Sequence, residues 1–238
     1  PKGFDAEGLT KTGLFTAANP NRALFADRLV FPIRSTSGDV VAFGGRRLGE
    51  EGPKYLNSPE SPVFKKRSLL YGLFEGKEAL RKERRAFLVE GYTDVLALFQ
   101  AGIENVVAPL GTAFTEAQAR VIKRLCDEIV VVFDADEAGS KALARGAGVA
   151  EAAGLSVRTV KLAPGQDPAD ILPSGGVREL QNVLSFDLDV FETLLDTVVG
   201  KADTETPKGK EFVLTELLPY INSINSAVRR ESTLSALA

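Results

Sequence analysis

The middle of the chain alternates between short apolar runs rich in β-branched residues and longer stretches whose apolar residues recur at helical spacing. Runs of the first kind are typical of strands buried on both faces of a parallel sheet. Strands and helices in alternation predict a mostly parallel sheet with right-handed crossovers and helices on its faces. The predicted strands are Ala86–Val89, Asn105–Ala108, Ile129–Phe133 and Ser156–Leu162, and the helices between them are Tyr92–Ala101, Thr115–Leu125 and Gly139–Ala153.

The flanking regions follow other patterns. Arg28–Arg34 and Val40–Gly45 predict a hairpin, and Pro32 favours an edge position for the first strand because proline cannot donate a backbone hydrogen bond. A helix is predicted at Leu73–Leu80 and a loop rich in Gly and Pro at Ala163–Gly176. After that loop the predicted helices are Val177–Leu184, Leu188–Val199, Gly209–Tyr220 and Ala227–Leu237.

Positive charge is concentrated in the first third of the chain. Residues 1–82 hold 14 Lys and Arg against 9 Asp and Glu, a net charge of +5, whereas residues 83–238 hold 15 against 23, a net charge of −8. We therefore expect a partial basic α/β subdomain at 1–82, a sheet domain at 83–172 and a small helical subdomain at 173–238. A polyanion held beside a metal site would explain the asymmetry, and so would two ordinary solvated surfaces.

The composition narrows the possible chemistry. Hydrophobic residues make up 44% of the chain, which is ordinary for a globular protein, and no apolar run is long enough to span a membrane. Histidine is absent and Cys126 is the single cysteine, which excludes His-based triads, the usual zinc sites and an internal disulfide framework. We expect Cys126 to pack in the core of a cytoplasmic protein. Because the chain begins at Pro1, we expect it to be a fragment.

Two aspartates follow the apolar run Ile129–Phe133. Asp134 and Asp136 are two residues apart, so in an extended chain both carboxylates leave the carboxyl end of a buried strand on the same side. At ~4 Å and an effective dielectric of ~20 they would repel by ~4 kcal/mol, and a divalent cation such as Mg²⁺ would turn this cost into a binding site. The spacing is equally compatible with Asp136 capping the next helix and Asp134 being a solvated loop acid.

A second candidate segment combines positive charge with an aromatic ring. Lys54–Glu60 reads K-Y-L-N-S-P-E, and Lys65–Arg67 follows closely. Such residues could neutralise phosphates and stack a base of single-stranded nucleic acid. Taken alone, the segment is better explained as a surface loop with a structural tyrosine.

The motifs together resemble a known family. Glu90 ends one predicted strand in E-G-Y-T-D, and V-V-F-D-A-D-E-A-G follows about forty residues later, an order similar to the Toprim module. Upstream, F-P-I-R, F-G-G-R, P-K-Y-L-N-S-P-E and L-Y-G-L occur in the order found in bacterial replicative primases of the DnaG type. The resemblance runs from about Arg28 to Asp170. It implies a Toprim-like, mostly parallel sheet flanked by helices, preceded by a partial mixed α/β subdomain and followed by a small helical domain.

The resemblance also implies an activity and its residues. The family makes short RNA primers on a single-stranded DNA template from ribonucleoside triphosphates, by two-metal nucleotidyl transfer. Glu90, Asp134 and Asp136 would be catalytic, and the Mg²⁺ or Mn²⁺ ligands would be Glu90, Asp94, Asp134, Asp136 and Asp167. Nucleotide or template would be bound by Arg46, Lys54, Tyr55, Asn57 and Lys65. No zinc is expected in this fragment, and contacts with the replicative helicase and single-strand-binding protein would involve regions missing here. No membrane contact is expected of this replisome- or nucleoid-associated protein.

One departure from the family pattern concerns Asp167. The family motif is often D-P-D, whereas this chain has Asp167-Pro168-Ala169-Asp170, so one expected ligand is missing or displaced by a residue. The sequence also has the form of a helix start, with Asp as N-cap and Pro at the first helical position. We favour a functional role for Asp167 and a capping role for Asp170.

Three other activities share part of the pattern. A Toprim nuclease or a topoisomerase-like enzyme would use the same acids, and the topoisomerase would also need a catalytic tyrosine. A haloacid-dehalogenase-like phosphatase would use Asp134 as its nucleophile but would not explain Glu90. A non-catalytic nucleic-acid scaffold would keep the basic region and should lack a complete acidic cluster.

Overall fold

Two small antiparallel sheets form the first part of the protein in the computed structural model, which describes residues 3, 5, 7, 12–16, 19–133, 137–163 and 165–237. The three-stranded sheet places β4 between β3 and β5, and a two-stranded sheet pairs β1 with β2. The hairpin predicted from the sequence is therefore present, and Pro32 lies on an edge strand. The strands are β1 (Phe15–Thr16), β2 (Asn19–Ala23), β3 (Arg28–Arg34), β4 (Val40–Arg47) and β5 (Tyr55–Asn57).

The main sheet has five strands in the order β10–β9–β8–β6–β7. Four of them run parallel, and β10 pairs antiparallel with β9 at one edge. The fold class expected from the sequence, a mostly parallel sheet flanked by helices, is confirmed. The strands are β6 (Arg85–Leu88), β7 (Val106–Val107), β8 (Glu128–Val131), β9 (Ser156–Val160) and β10 (Asp187–Asp189).

Helices cover both faces of this sheet. The helices are α1 (Lys77–Glu83), α2 (Tyr92–Gln100), α3 (Glu116–Lys123), α4 (Glu137–Ala152), α5 (Pro168–Ser185), α6 (Val190–Val199), α7 (Pro207–Ser223) and α8 (Ala227–Leu237). One face of the sheet packs against α3, α4, α6 and α7, and the other packs against α2 and α5.

Alternate side chains of β8 enter opposite cores. Ile129 and Val131 pack in the cluster on one face, and Val130 and Val132 pack in the cluster on the other. All four are fully buried. Successive residues of a strand point to opposite faces, so a strand covered by helices on both sides needs an unbroken apolar run. This requirement explains the apolar run Ile129–Phe133, from which the strand is predicted.

The strand order creates a switch point between β6 and β8. From β6 the chain passes through α2 to β7 on one side, and it then crosses through α3 to β8 on the other side of β6. Connections of opposite direction leave a crevice at the carboxyl ends of the two adjacent strands, which is where open α/β sheets bind ligands. Leu88 at the end of β6 is paired with Val131 at the end of β8.

The sequence predicts the wrong first residue for two helices. The helix predicted from Leu73 begins only at Lys77, because Gly72 has a φ of 80° and the chain turns before the helix starts. The loop predicted to run to Gly176 is helical from Pro168 onward. Gly176 interrupts that helix with a φ of 75°, and the Gly-Gly pair, which favours a loop in the sequence, forms only this kink.

A strand was also missed near residue 188. The sequence predicts a helix from Leu188, whereas Asp187–Asp189 forms β10 and the helix begins at Val190 with Asp189 as its N-cap. The Arg158 guanidinium on β9 donates to the Asp187 carboxylate at 3.1 Å, which favours pairing of the two strands. Val190, Leu194 and Leu217, in α6 and α7, share a hydrophobic cluster with the main sheet. The division at residue 173 remains a prediction.

None of the described helices combines the length and the apolar character that crossing a membrane requires.

Candidate active site

Glu90 lies at the switch point of the main sheet. It follows β6 by two residues and is exposed at the carboxyl edge. Together with Phe133, which follows β8, and with Phe114 and Arg145, it lines a cavity of about 140 Å³. Asp134 and Asp136 lie outside the described residues. Phe133, the last described residue before them, lies in the wall of the cavity that Glu90 also lines.

Asp94 is buried beside this edge. It occupies the third position of α2, and its carboxylate accepts a hydrogen bond from the Gly91 amide at 3.0 Å. Gly91 precedes the helix and adjoins Glu90, so Asp94 fixes the backbone that carries Glu90. A carboxylate at a helix N-terminus is also favoured by the helix dipole. The predicted role of Asp94 as a metal ligand stays a prediction.

Asp167 is the N-cap of α5. Its side chain accepts a hydrogen bond from the Asp170 amide at 2.7 Å, and Pro168 occupies the first helical position. Asp170 lies at the third helical position with its side chain exposed, so the cap itself is Asp167 and not Asp170. The structure thus has the helix start that the sequence suggests. A charge-dependent role of Asp167 is compatible with this geometry, because a capping carboxylate retains lone pairs for other partners.

The predicted basic residues surround Tyr55 on the three-stranded sheet. Arg46 is the cross-strand partner of Tyr55, and its guanidinium carbon lies 5.8 Å from the ring centre. The Lys54 ammonium lies 5.9 Å from the same ring centre. These distances are within reach of cation–π attraction. Lys54 and Lys65 are exposed, and neither forms an ion pair with a residue that the structure describes.

Asn57 has a different environment from the other predicted binding residues. Its carbonyl accepts a hydrogen bond from the Tyr92 hydroxyl at 2.5 Å, and its amide donates to the Leu110 carbonyl at 2.9 Å. Both polar ends therefore contact the main-sheet region. The structure gives Asn57 a structural role between the two sheets, and its predicted contact with nucleotide or template is not tested by these bonds.

Tyr92, the first residue of α2, packs against the three-stranded sheet, and it lies two residues after Glu90. Its ring stacks on Phe31 of β3 at 4.9 Å between ring centres and meets the edge of Tyr71 at 4.7 Å. Burial raises the pKa of the Tyr92 hydroxyl, so it stays protonated as a donor to Asn57. A Cβ at Gly44 would lie 2.5 Å from the Tyr92 ring, so only glycine allows this approach. The apolar pattern of α2 predicts burial of Tyr92 but not its partners on another sheet.

The donor set of the edge suits a hard cation. Glu90, Asp94 and Asp167 have carboxylate oxygens, which Mg²⁺ and Mn²⁺ prefer, and in the sequence Asp134 and Asp136 follow Phe133. Within the described ranges, which omit 134–136, no three or more Asp, Glu or Cys side chains are close enough to hold a metal ion. The proposed centre therefore depends on the two aspartates that follow Phe133.

Comparisons with known proteins agree with this architecture. Residues 87–172 match the family model described as "Toprim-like", and residues 1–77 match "DNA primase catalytic core, N-terminal domain". The first match begins within β6 and covers the parallel strands β7 to β9 and Glu90. The second covers the two small sheets. The fold thus defines a Toprim-type core of the kind that primases contain.

Individual relatives narrow this class. A DNA primase of Borreliella burgdorferi is 45% identical over 221 residues, which are 93% of this chain and 42% of the relative. A DNA primase domain from Pseudomonas aeruginosa has a TM-score of 0.85 and 36% identity, over 97% of this chain and 74% of that one. A DnaG primase catalytic domain bound to single-stranded DNA has a TM-score of 0.84 and 32% identity, over 97% of this chain and 74% of that one.

This chain belongs to the family of bacterial DnaG-type DNA primases. The resemblance seen in the sequence is confirmed. The chain spans about two fifths of the length of the curated relatives that it matches.

Proposed function

We propose that this chain is the polymerase core of a DNA primase, a nucleotidyltransferase that makes short RNA primers on single-stranded DNA during replication. The observation that carries the proposal is the position of Glu90. It lines the switch-point cavity together with Phe133, the residue directly before Asp134. The matches to primases support the same conclusion.

The acidic residues would hold the cations of this reaction. Glu90, Asp134 and Asp136 are the proposed catalytic ligands, and Asp94 and Asp167 are further candidates. Bound Mg²⁺ or Mn²⁺ would supply charge neutralisation at the triphosphate and orient the attacking 3′-hydroxyl. Asp94 holds the Gly91 amide and thereby positions Glu90, and the cap at Asp167 positions the start of α5.

The basic surface would bind the nucleotide and the template. Exposed Lys54 and Lys65 can neutralise phosphates, because neither is paired with a described acid. Tyr55, flanked by Arg46 and Lys54, offers a ring face for stacking a base. This supports the proposal that the single-stranded template or the incoming ribonucleotide lies against the three-stranded sheet.

Further partners follow from the proposed place in replication. They are the growing RNA primer and, through parts of a primase outside the matched region, the replicative helicase and the single-strand-binding protein. The location we propose is the cytoplasm, at the replisome and nucleoid. A nuclease or topoisomerase-like enzyme would share the acidic edge, but residues 1–77 match a primase-specific model.

Primer synthesis tests the proposal. The protein is incubated with single-stranded DNA, labelled ribonucleotides and Mg²⁺ or Mn²⁺, and the products are resolved by length. Glu90→Gln should remove several kcal/mol of transition-state stabilisation, roughly 10²- to 10³-fold in rate. The matched control is Glu216→Gln, which neutralises an exposed glutamate on α7. Equal rates for the two variants would contradict the proposed catalytic role of Glu90.

A further inference from the structure

A wider groove continues outward from the Glu90 cavity. Its volume is about 520 Å³, and it shares Thr112, Ala113, Phe114 and Arg145 with the smaller cavity. Because four residues line both spaces, the two form one path that starts at Glu90. Arg67 lines its outer part.

Two arginines set the charge of this groove. Arg67, from the loop before α1, and Arg145, from α4, are both exposed. Neither side chain forms an ion pair with a described residue. Glu116 also lines the groove, but its carboxylate is paired with Arg120 at 2.9 Å. The groove therefore presents two available guanidinium groups at the side of an acidic edge.

The loop that carries Arg67 is held firmly against α3. The Thr115 hydroxyl donates to the Arg67 carbonyl at 2.6 Å. The buried Gln118 amide donates to the Lys66 and Leu69 carbonyls at 3.1 and 2.7 Å. A backbone fixed on both sides of Arg67 reduces the conformational entropy lost when its side chain binds a ligand.

The wall around Arg145 is equally well defined. Gly146, the next residue of α4, is close enough to Phe133 that an added Cβ would contact its ring at 3.5 Å. Phe114 is buried at the junction of the two spaces. The hydroxyl of Thr112 and the guanidinium groups supply donors, which suits a chain of phosphates.

We propose that this groove binds the phosphate backbone of single-stranded DNA where the strand approaches the edge at Glu90, with Arg145 on an inner phosphate and Arg67 on an outer one. The assignment rests on the proposed function and extends it to residues outside the basic surface around Tyr55. Phosphate is the shared chemistry of a strand and of a ribonucleoside triphosphate. We choose the strand because the groove extends away from the acids that a triphosphate and its cation require.

Strand binding is measured by fluorescence anisotropy with labelled single-stranded DNA of two unrelated sequences, at several salt concentrations. Each phosphate contact contributes a slope of about −0.7 in log K against log salt, which corresponds to about fivefold in affinity at 0.1 M salt relative to 1 M. Arg67→Ala and Arg145→Ala should each lose about this factor and this slope for both sequences. Arg178→Ala is the matched control, because Arg178 is an exposed arginine on α5 that lines neither space.

A second arm identifies the source of the phosphate. Binding of ATP with Mn²⁺ is measured on the same variants, and it should be unchanged by Arg67→Ala. If both variants lose affinity for ATP and keep it for DNA, the strand assignment is overturned. If both bind DNA as Arg178→Ala does, with melting temperatures like the wild type, the groove does not bind the strand at all.

The experiments test strand binding in the groove and the proposed primer synthesis independently. A wild-type protein that makes primers while both variants keep full DNA affinity would overturn only the groove. A wild-type protein that makes no primers while both variants lose DNA affinity would support the groove and contradict the proposed function.

Discussion

Asp167 combines a structural contact with a proposed charge-dependent role. Its carboxylate caps α5 through the Asp170 amide. Asparagine caps about as well as aspartate but carries no charge, whereas alanine loses both, at a cap cost of ~1 kcal/mol. We predict that Asp167→Asn keeps the melting temperature and abolishes primer synthesis, and that Asp167→Ala also lowers the melting temperature. If Asp167→Asn makes primers at the wild-type rate, Asp167 acts only as the N-cap of α5.

Asp170 provides the comparison for that experiment. Its side chain is exposed at the third position of the helix, where the helix N-terminus favours a negative charge. We predict that Asp170→Asn makes primers at nearly the wild-type rate. A loss of synthesis equal to that of Asp167→Asn would instead identify Asp170 as the displaced acid of the D-P-D motif.

Cys126 is buried in the core, as its apolar helical context predicts. Burial raises the pKa of its thiol to about 11. Because the unfolded thiol titrates near 9, the folded state holds more protons between about 9 and 11. The free energy of unfolding should therefore fall as pH rises through this interval. Urea unfolding of Cys126→Ala should show a shallower decline there, and identical pH slopes would contradict the shifted pKa.

At the scale of elements, local sequence determines most helix and strand positions. The capping box of Thr115 and Gln118 is present, with each side chain bonded to the other residue's amide. Ala227–Leu237 has its predicted bounds. The strand Asp187–Asp189 was not predictable in this way, because its register depends on Arg158, which is 29 residues away. Local periodicity cannot specify a partner at that distance.

An ion pair links the last helix, α8, to α4. Arg229 donates to both carboxylate oxygens of Glu151 on α4, at 2.8 and 3.0 Å. The Glu151 side chain is 4% exposed and that of Arg229 is 44% exposed. No described residue of α8 is itself buried, so packing alone holds this helix weakly.

Removing only one partner of this ion pair should lower the free energy of unfolding more than replacing both partners. Arg229→Ala leaves a buried carboxylate, and we predict a loss of about 2 kcal/mol, below the ~3–5 kcal/mol of fully buried pairs because Arg229 is partly exposed. Thermal unfolding and proteolysis of α8 provide the measurement. The double variant Glu151→Leu with Arg229→Leu should recover much of the loss, and a double variant less stable than the single one would refute this account.

At the scale of the whole molecule, contacts of Tyr92 and Asn57 join the three-stranded sheet to the region of the main sheet. Tyr92 stacks on Phe31 and donates to Asn57, and Asn57 donates to Leu110. Tyr92 lies two residues after Glu90, so this interface also fixes the basic surface relative to the acidic edge. The alternation of the parallel strands β6 to β9 with helices was predictable from the sequence. These contacts were not, because no local pattern links positions 57 and 92.

Tyr92→Phe tests the interface without removing the stacked ring. It should cost about 1–2 kcal/mol, since the Asn57 carbonyl loses its partner in a half-buried site. Asn57→Ala should cost a similar amount, and the double variant should show a coupling of at least ~0.5 kcal/mol in urea unfolding. Strictly additive effects would contradict direct coupling of the two residues. A loss of nucleotide affinity in Asn57→Ala alone would support its predicted binding role.

The central claim is that Glu90, Asp134 and Asp136 form one cation site at the switch point of the sheet. Anomalous diffraction from crystals soaked in Mn²⁺ tests it most directly. We predict a Mn²⁺ peak within about 2.0–2.6 Å of an oxygen of Glu90 and of an oxygen of at least one of the two aspartates. The claim would be contradicted if the carboxylate of Glu90 lay more than about 8 Å from those of both aspartates with no peak between them. One cation cannot bridge carboxylates at that separation.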